Sequence, residues 1–247
     1  NPSFFPIIIK FFIWTSKIID KTVESILIQK HLPIQYIFVD GGSDDGTLEY
    51  LSKVKIKFKE LGVNFLLKKQ TTKGGIYEAW NMGLKMVSKN SEYIFILNSD
   101  DWYLNNTIEL VSTFFTNNTA TDIFCGKSLN FYDNGKQNIS KNKNLNLFPF
   151  LMPVNHPACF IRKKVYDKVG GFNDKYRVSG DYDFLYRCIN SKMTFGFTED
   201  ILVKRLMGGF ADSNKNLAMI ETLKVGLNHS KIKLFPKIAY LLRKLII

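Results

Sequence analysis

Short apolar runs alternate with stretches of helical apolar spacing through the first half of the chain, the pattern of strands and helices following one another. Pro6 to Phe12 predicts a first strand. Asp20 is placed to cap a helix that carries Val23, Ile26 and Leu27 on one face. Tyr36 to Val39 is a second strand, so the unit predicts a right-handed crossover between parallel strands. A helix with Leu48, Leu51 and Val54 turned inward then leads to a third strand, Val63 to Leu67. Lys73-Gly74-Gly75 opens a helix with Ile76, Ala79, Trp80, Gly83 and Met86 at helical spacing, and Tyr93 to Leu97 is a fourth strand. A helix over Thr107 to Phe115 and a strand over Asp122 to Cys125 complete this regular part.

From Lys127 to Phe150 the periodicity fades, Asn and Lys dominate, and Asp133-Asn134-Gly135 predicts a tight turn in a hairpin. Val154 to Ile161 resumes as a strand with His156 near its start, and Lys163 to Val169 is a short helix stopped by Gly170-Gly171. Asp181 stands at the N-terminus of a helix bearing Phe184, Leu185 and Cys188, where the helix dipole favours an ionised carboxylate. Asp183 lies further inside it, which suggests a helix-terminal or surface role. Gly208-Gly209 predicts a loop that closes over a ligand, and a helix starts near Asn216. The tail, Lys231 to Ile247, is divided by Pro236. Its segment Lys237 to Leu245 reads either as a basic amphipathic helix on an anionic membrane surface or as a helix packed on the core.

Composition narrows the partners. The 247 residues are 45% hydrophobic, enough for a substantial core, and carry a formal charge of +12 that suits phosphate-bearing partners. Nothing beyond basicity points to nucleic acid. Cys125, Cys159 and Cys188 are far apart with no C-x-x-C pair, so neither a disulfide framework nor a cysteine zinc site is expected, and the thiols read as those of a cytosolic protein. No run approaches the roughly 18 apolar residues of a membrane span, and no secretory signal is visible.

The chemistry concentrates where strands end. The second strand runs into Asp40-Gly41-Gly42-Ser43-Asp44-Asp45-Gly46-Thr47 and the fourth into Asn98-Ser99-Asp100-Asp101. Parallel strands put both acidic loops on one sheet edge, beside the crevice where open α/β sheets bind ligands. The plain alternatives are helix caps: Asp45 or Thr47 for the helix after the first loop, Asp100 or Asp101 before Thr107.

Val39 to Thr47, Gly75-Ile76-Tyr77-Glu78-Ala79-Trp80-Asn81-Met82-Gly83, Leu97-Asn98-Ser99-Asp100-Asp101, Ser179-Gly180-Asp181-Tyr182 and Met207-Gly208-Gly209 occur in the order found in family 2 glycosyltransferases. Over about residues 6 to 215 the chain resembles that family, closest to its colanic-acid and exopolysaccharide branch. The resemblance implies an α/β GT-A fold with a Rossmann-like, mostly parallel sheet and a C-terminal acceptor-side region. It implies a nucleotide-sugar-binding half (1–126) and an acceptor-side half (127–215), followed by a helical tail (216–247) for which membrane contact and core packing both stay open. Asp40, with Gly41 and Gly42, would hold the nucleotide base, and Asn98 and Ser99 the ribose. Asp101, with Asp100 beside it, would hold Mn²⁺ or Mg²⁺. Asp181 would be the base of an inverting transfer, and Lys73 and His156 would approach the donor phosphates or the acceptor. The implied partners are a UDP-sugar and a glycan or lipid-linked acceptor of surface polysaccharide assembly, at the cytoplasmic membrane face. Trp80 reads as core.

Three departures from the family pattern stand out. Asn98 replaces the usual aspartate, Gly180 the usual glutamate, and Phe11 to Ser16 lacks the family's Asn-bearing loop, with Thr15 or Ser16 as substitutes. A catalytically silent sugar-nucleotide- or glycan-binding module of the same fold is the alternative that Asn98 and the altered first loop suggest.

Overall fold

In a computed structural model the described residues are 6–12, 19–30, 35–70, 74–142 and 144–245. Thr15, Ser16 and Lys73 lie outside them. The predicted alternation is present as β1 (Pro6–Phe12), α1 (Ile19–Leu27), β2 (Gln35–Asp40), α2 (Thr47–Glu60), β3 (Asn64–Lys69), α3 (Ile76–Lys85) and β4 (Tyr93–Asn98). Strand β2 is buried at every position, as a parallel strand covered on both faces must be. Its Ile37 and Val39 join one core with Tyr77, Trp80 and Phe184, while Tyr36 and Phe38 join the other with Leu51, Phe58 and Phe160. That two-residue period assigns each face of the sheet its own helical layer.

The remaining elements are β5 (Asp101–Tyr103), α4 (Thr107–Asn117), β6 (Ile123–Phe131), β7 (Gln137–Ser140), β8 (Cys159–Arg162), α5 (Lys163–Val169), α6 (Gly180–Asn190), β9 (Phe195–Leu206), α7 (Phe210–Ser213), α8 (Lys215–His229) and α9 (Leu234–Lys244). The sheet runs β3-β2-β1-β4-β8-β6-β9-β5, with β7 paired to β6. Its first four strands are parallel, whereas β8 enters antiparallel to both β4 and β6 and makes the second half mixed. One sheet therefore contains strands from both the first and the second half of the chain.

Several segments differ in detail from the sequence expectation. His156 to Ala158 form a 3-10 turn, and the strand begins only at Cys159. Strand β6 continues to Phe131, and Asp101 opens a short strand rather than capping α4. Pro236 sits in the first turn of α9, where a missing N–H breaks no helical bond, so it does not divide the tail.

Candidate functional site

Register fixes the first half of the site. Asp40 pairs with Phe12 and Asn98 with Phe11, so the two acidic loops leave the sheet on either side of the end of β1. The Asp40 side chain is buried, and its oxygens are engaged by the loop itself: Gly42 N donates to Oδ2, Ser43 Oγ donates to Oδ1 at 2.6 Å, and Ser43 N lies 3.2 Å from both. Gly42 turns at φ +103°, a conformation that side chains disfavour. Asp40 therefore shapes the Gly41–Ser43 turn. Asp45 accepts from the backbone and hydroxyl of Thr47 at the start of α2.

In the second loop the adjacent acids have separate fates. Asp101 is only 1% exposed; it accepts Asn98 Nδ2 at 2.9 Å and lies 3.7 Å from Arg205 Nε. That ion pair follows from pairing of β5 with β9, which sets Asp101 opposite Arg205. Asp100 stays on the rim, half-buried, with Oδ2 facing Gly209, where an added Cβ would lie 3.6 Å away. The outward-facing carboxylate of the pair is thus Asp100, although the sequence favoured Asp101. Ser99 is half-buried and its carbonyl accepts Thr22 Oγ1.

Arg205 had no signal in the sequence, yet it joins the two sides of the crevice. Its Nη1 donates to Asn155 Oδ1 at 3.1 Å, and its charge reaches both Asp181 and His156.

Asp181 is half-buried in the first turn of α6 and accepts its neighbour Tyr182 N at 2.8 Å. Tyr77 of α3 donates to the Val178 carbonyl at 2.6 Å and lies 3.2 Å from Asp181 Oδ1. Burial raises the Asp181 carboxyl above the ordinary carboxylate value, with bonds from Tyr182 and Tyr77 and the charge of Arg205 opposing it. Gly180 is explained by the same contact: a Cβ there would stand 2.7 Å from the Tyr77 ring.

The turn before Asp181 is held from below. Glu221 of α8, 4% exposed, accepts the N–H groups of Arg177 at 2.9 Å, Val178 at 2.8 Å and Ser179 at 2.9 Å. The signal available in the sequence was its isolation, since Glu221 is the only acid from Asn216 to Ile247. Asp183 is buried rather than on the surface. Burial alone would raise its carboxyl, but bonds from His229 at 2.7 Å and Arg187 at 2.9 Å, with their charges, lower it.

His156 is 2% exposed and stacks on Trp80 at 5.1 Å between centroids. Burial and the charge of Arg205 push its pKa down to about 3, so the ring is neutral at physiological pH. Trp80 packs edge-on against Tyr77 and Phe172, in the core as expected. Around the crevice, Asn98 Oδ1, His156 Nε2 and Arg205 Nε are buried without a hydrogen-bond partner, a pattern that marks polar groups awaiting a ligand or water. Gly208 bends at φ +102°, and its N–H is bound by Asp212 at 2.8 Å. A cavity of about 540 Å³ opens between α3 and α5, but its lining holds none of Asp40, Asp100, Asp181 or Arg205.

Comparison with solved structures places this architecture. The fold superposes on S. aureus TarS 1-349 in complex with UDP-GlcNAc with TM-score 0.70 at 16% identity, covering 96% of this chain and 70% of that one. It superposes on the mannosyltransferase PcManGT from Pyrobaculum calidifontis, in complex with GDP-Man and Mn²⁺, with TM-score 0.69 at 14% identity, covering 96% and 69%. The expected GT-A architecture is therefore the one observed. Among curated proteins, the PGL/p-HBAD biosynthesis glycosyltransferase of Mycobacterium bovis (strain BCG / Pasteur 1173P2) is 28% identical over 174 residues, 68% of this chain. Glycosyltransferase GlyG of Streptococcus pneumoniae serotype 4 (strain ATCC BAA-334 / TIGR4) is 36% identical over 95 residues, 38% of this chain and 30% of its own. The match spans 63% of the length of the mycobacterial relative. Residues 7–170 match the sequence pattern of Glycosyl transferase family 2, and the chain belongs to that family.

Proposed function

We propose that the protein transfers a sugar, with inversion, from a nucleoside-diphosphate sugar to a hydroxyl of a glycan or lipid-linked acceptor in surface polysaccharide assembly, with a UDP-sugar as donor. The observation that carries this proposal is Asp181, a carboxylate at a helix N-terminus with its pKa raised, held by Tyr77 on one side and within the field of Arg205 on the other. The acceptor oxygen attacks the anomeric carbon from the face opposite the leaving diphosphate while its proton passes to Asp181. Such positioned proton transfer contributes about 10²- to 10⁴-fold. A raised pKa makes the carboxylate a stronger base toward the acceptor proton.

The crevice supports a charged donor. Arg205 offers a guanidinium to the departing diphosphate, Asn98 Oδ1 an acceptor to a ribose hydroxyl, and neutral His156 an Nε2 to a phosphate or acceptor hydroxyl. The turn ordered by Asp40, with Gly41, Gly42 and Ser43, receives the base. Hard carboxylate oxygen on the rim fits Mn²⁺ or Mg²⁺, and no cluster of three His, Cys, Asp or Glu side chains occurs among the described residues. Asp100 would hold the ion, which would supply charge neutralisation to the leaving group. TarS solved with UDP-GlcNAc and PcManGT solved with GDP-Man and Mn²⁺ support that donor class and ion. The +12 charge of the chain supports a reading in which the reaction runs at the cytoplasmic membrane face.

The test is a panel of UDP-, GDP- and dTDP-sugars with MnCl₂, following donor hydrolysis and transfer. Turnover of a UDP-sugar is expected. Binding without turnover of any donor would refute the proposal and leave a silent sugar-nucleotide-binding module.

A further inference from the structure

Helix α9 exposes more aliphatic surface than its packing within the fold explains. Its inner face is occupied: Phe235 stacks on Phe150 at 4.9 Å, Pro236 fills the space over Gly226 of α8, and Arg243 Nη2 donates to the Phe150 carbonyl at 2.7 Å. On the opposite face Leu234, Ile238, Leu241 and Leu245 follow one another at helical steps, with Leu242 alongside. Leu241 is 60% exposed and Leu245 83%. The exposed neighbours of this stripe are Lys233, Lys237 and Lys244, and no acidic residue follows Glu221 in the chain. A contiguous apolar stripe rimmed by polar residues marks an interaction surface, since scattered single leucines are what an ordinary surface carries.

We propose that this face of α9 lies in the interface of an anionic lipid bilayer, its aliphatic side chains at the acyl boundary and its lysines at the headgroups. Charge decides for this occupant. A second copy docked through the same stripe would present the same patch from both sides, bringing two sets of lysines together with no acidic residue of α9 to pair them. An anionic headgroup layer attracts each of them. The helix lies in the plane and does not span: among the described residues no helix is long and apolar enough to cross a membrane. Helix α9 packs on α8, and α8 carries the Glu221 that holds the turn before Asp181. Seating α9 would therefore anchor the acceptor side of the crevice close to the bilayer. This inference deepens the proposed use of a lipid-linked acceptor and names the surface that would bring the enzyme to it.

Flotation of the full chain with phosphatidylcholine vesicles, with and without phosphatidylglycerol, tests it. Binding to the phosphatidylglycerol vesicles, weakened by salt, is expected. Leu241→Asp combined with Leu245→Asp should lower vesicle affinity at least about tenfold without changing the melting temperature. Lys237→Glu combined with Lys244→Glu should remove about tenfold of the preference for phosphatidylglycerol and leave residual phosphatidylcholine binding unchanged. Absence of wild-type binding, or equal binding by the leucine variant, would overturn the proposal. So would a dimer in sedimentation that Leu241→Asp dissolves with no lipid binding by the wild type. Donor hydrolysis in detergent-free solution is read in parallel: its failure strikes the proposed reaction, while failure of flotation with hydrolysis intact strikes only this surface.

Discussion

Replacing Glu221 by Gln probes the support beneath Asp181 with the smallest change in shape. The carboxylate accepts three backbone N–H groups, two at Oε2 and one at Oε1. With its oxygen turned toward Val178 and Ser179, the amide sets an NH₂ against Arg177 N–H. One buried donor left unsatisfied costs about 1–3 kcal/mol, and loss of charge assistance weakens the other two bonds, for a total of roughly 2–4 kcal/mol. At about 2–4 °C per kcal/mol for a chain of this size, the melting temperature should fall by roughly 5–15 °C. Turnover should fall with it, because the loosened turn presents the base, while donor affinity should persist. Thermal melts and donor titrations of Glu221→Gln are compared with Glu199→Gln, whose side chain is 92% exposed despite its ion pair with Lys127 and should stay within about 0.5 kcal/mol of wild type. A Glu221→Gln protein that melts within about 2 °C of wild type and turns over normally would refute the assigned support.

Other outcomes follow from the same geometry. Tyr77→Phe keeps the ring against Gly180 but removes the hydroxyl shared between the Val178 carbonyl and Asp181, so the turn loses a bond and the ionised form of Asp181 loses a donor; kcat should drop about tenfold and the acid limb of the pH–rate profile should move to higher pH, with donor KM unchanged. Asp100→Asn should abolish divalent-metal-dependent turnover, read by metal titration; Asp101→Asn, which breaks a buried contact with Arg205 and Asn98, should lower stability, read by denaturation. Asp183 has its folded pKa depressed, so its contribution to stability is present above the unfolded value of about 3.9 and is lost as pH falls through the folded one. Urea denaturation across that acid range should show the loss, and Asp183→Asn should flatten it.

Much of the first half was legible because parallel strands buried on both faces must be continuous apolar runs, and β2 and β4 are. Asp40, Asn98, Asp100 and Asp181 stand out in the sequence because each lies where a periodic element begins or ends. What escaped depends on contacts distant in sequence. Strand β5 is three residues long and opens with an acid, so no local pattern marks it. Strand β9 carries Thr-Glu-Asp in its middle, which hides its alternation, and Arg205 gains its meaning only by pairing opposite Asp101. Which of Asp100 and Asp101 contacts that arginine likewise depends on the pairing of β5 with β9. Glu221 falls in the helical tail that the sequence sets apart at 216–247, because a helix that braces another element has the same spacing as one that does not. The replacement of the usual glutamate by Gly180 weakened the sequence match, and the Tyr77 ring supplies its reason.

The central claim is that Asp181 is the base of a sugar transfer, and Asp181→Asn tests it most directly. The amide preserves shape and removes only the proton acceptor. Titration with the productive nucleotide sugar should give near wild-type affinity, while transfer falls at least about 10²-fold. Near-normal transfer by the asparagine variant would contradict the account.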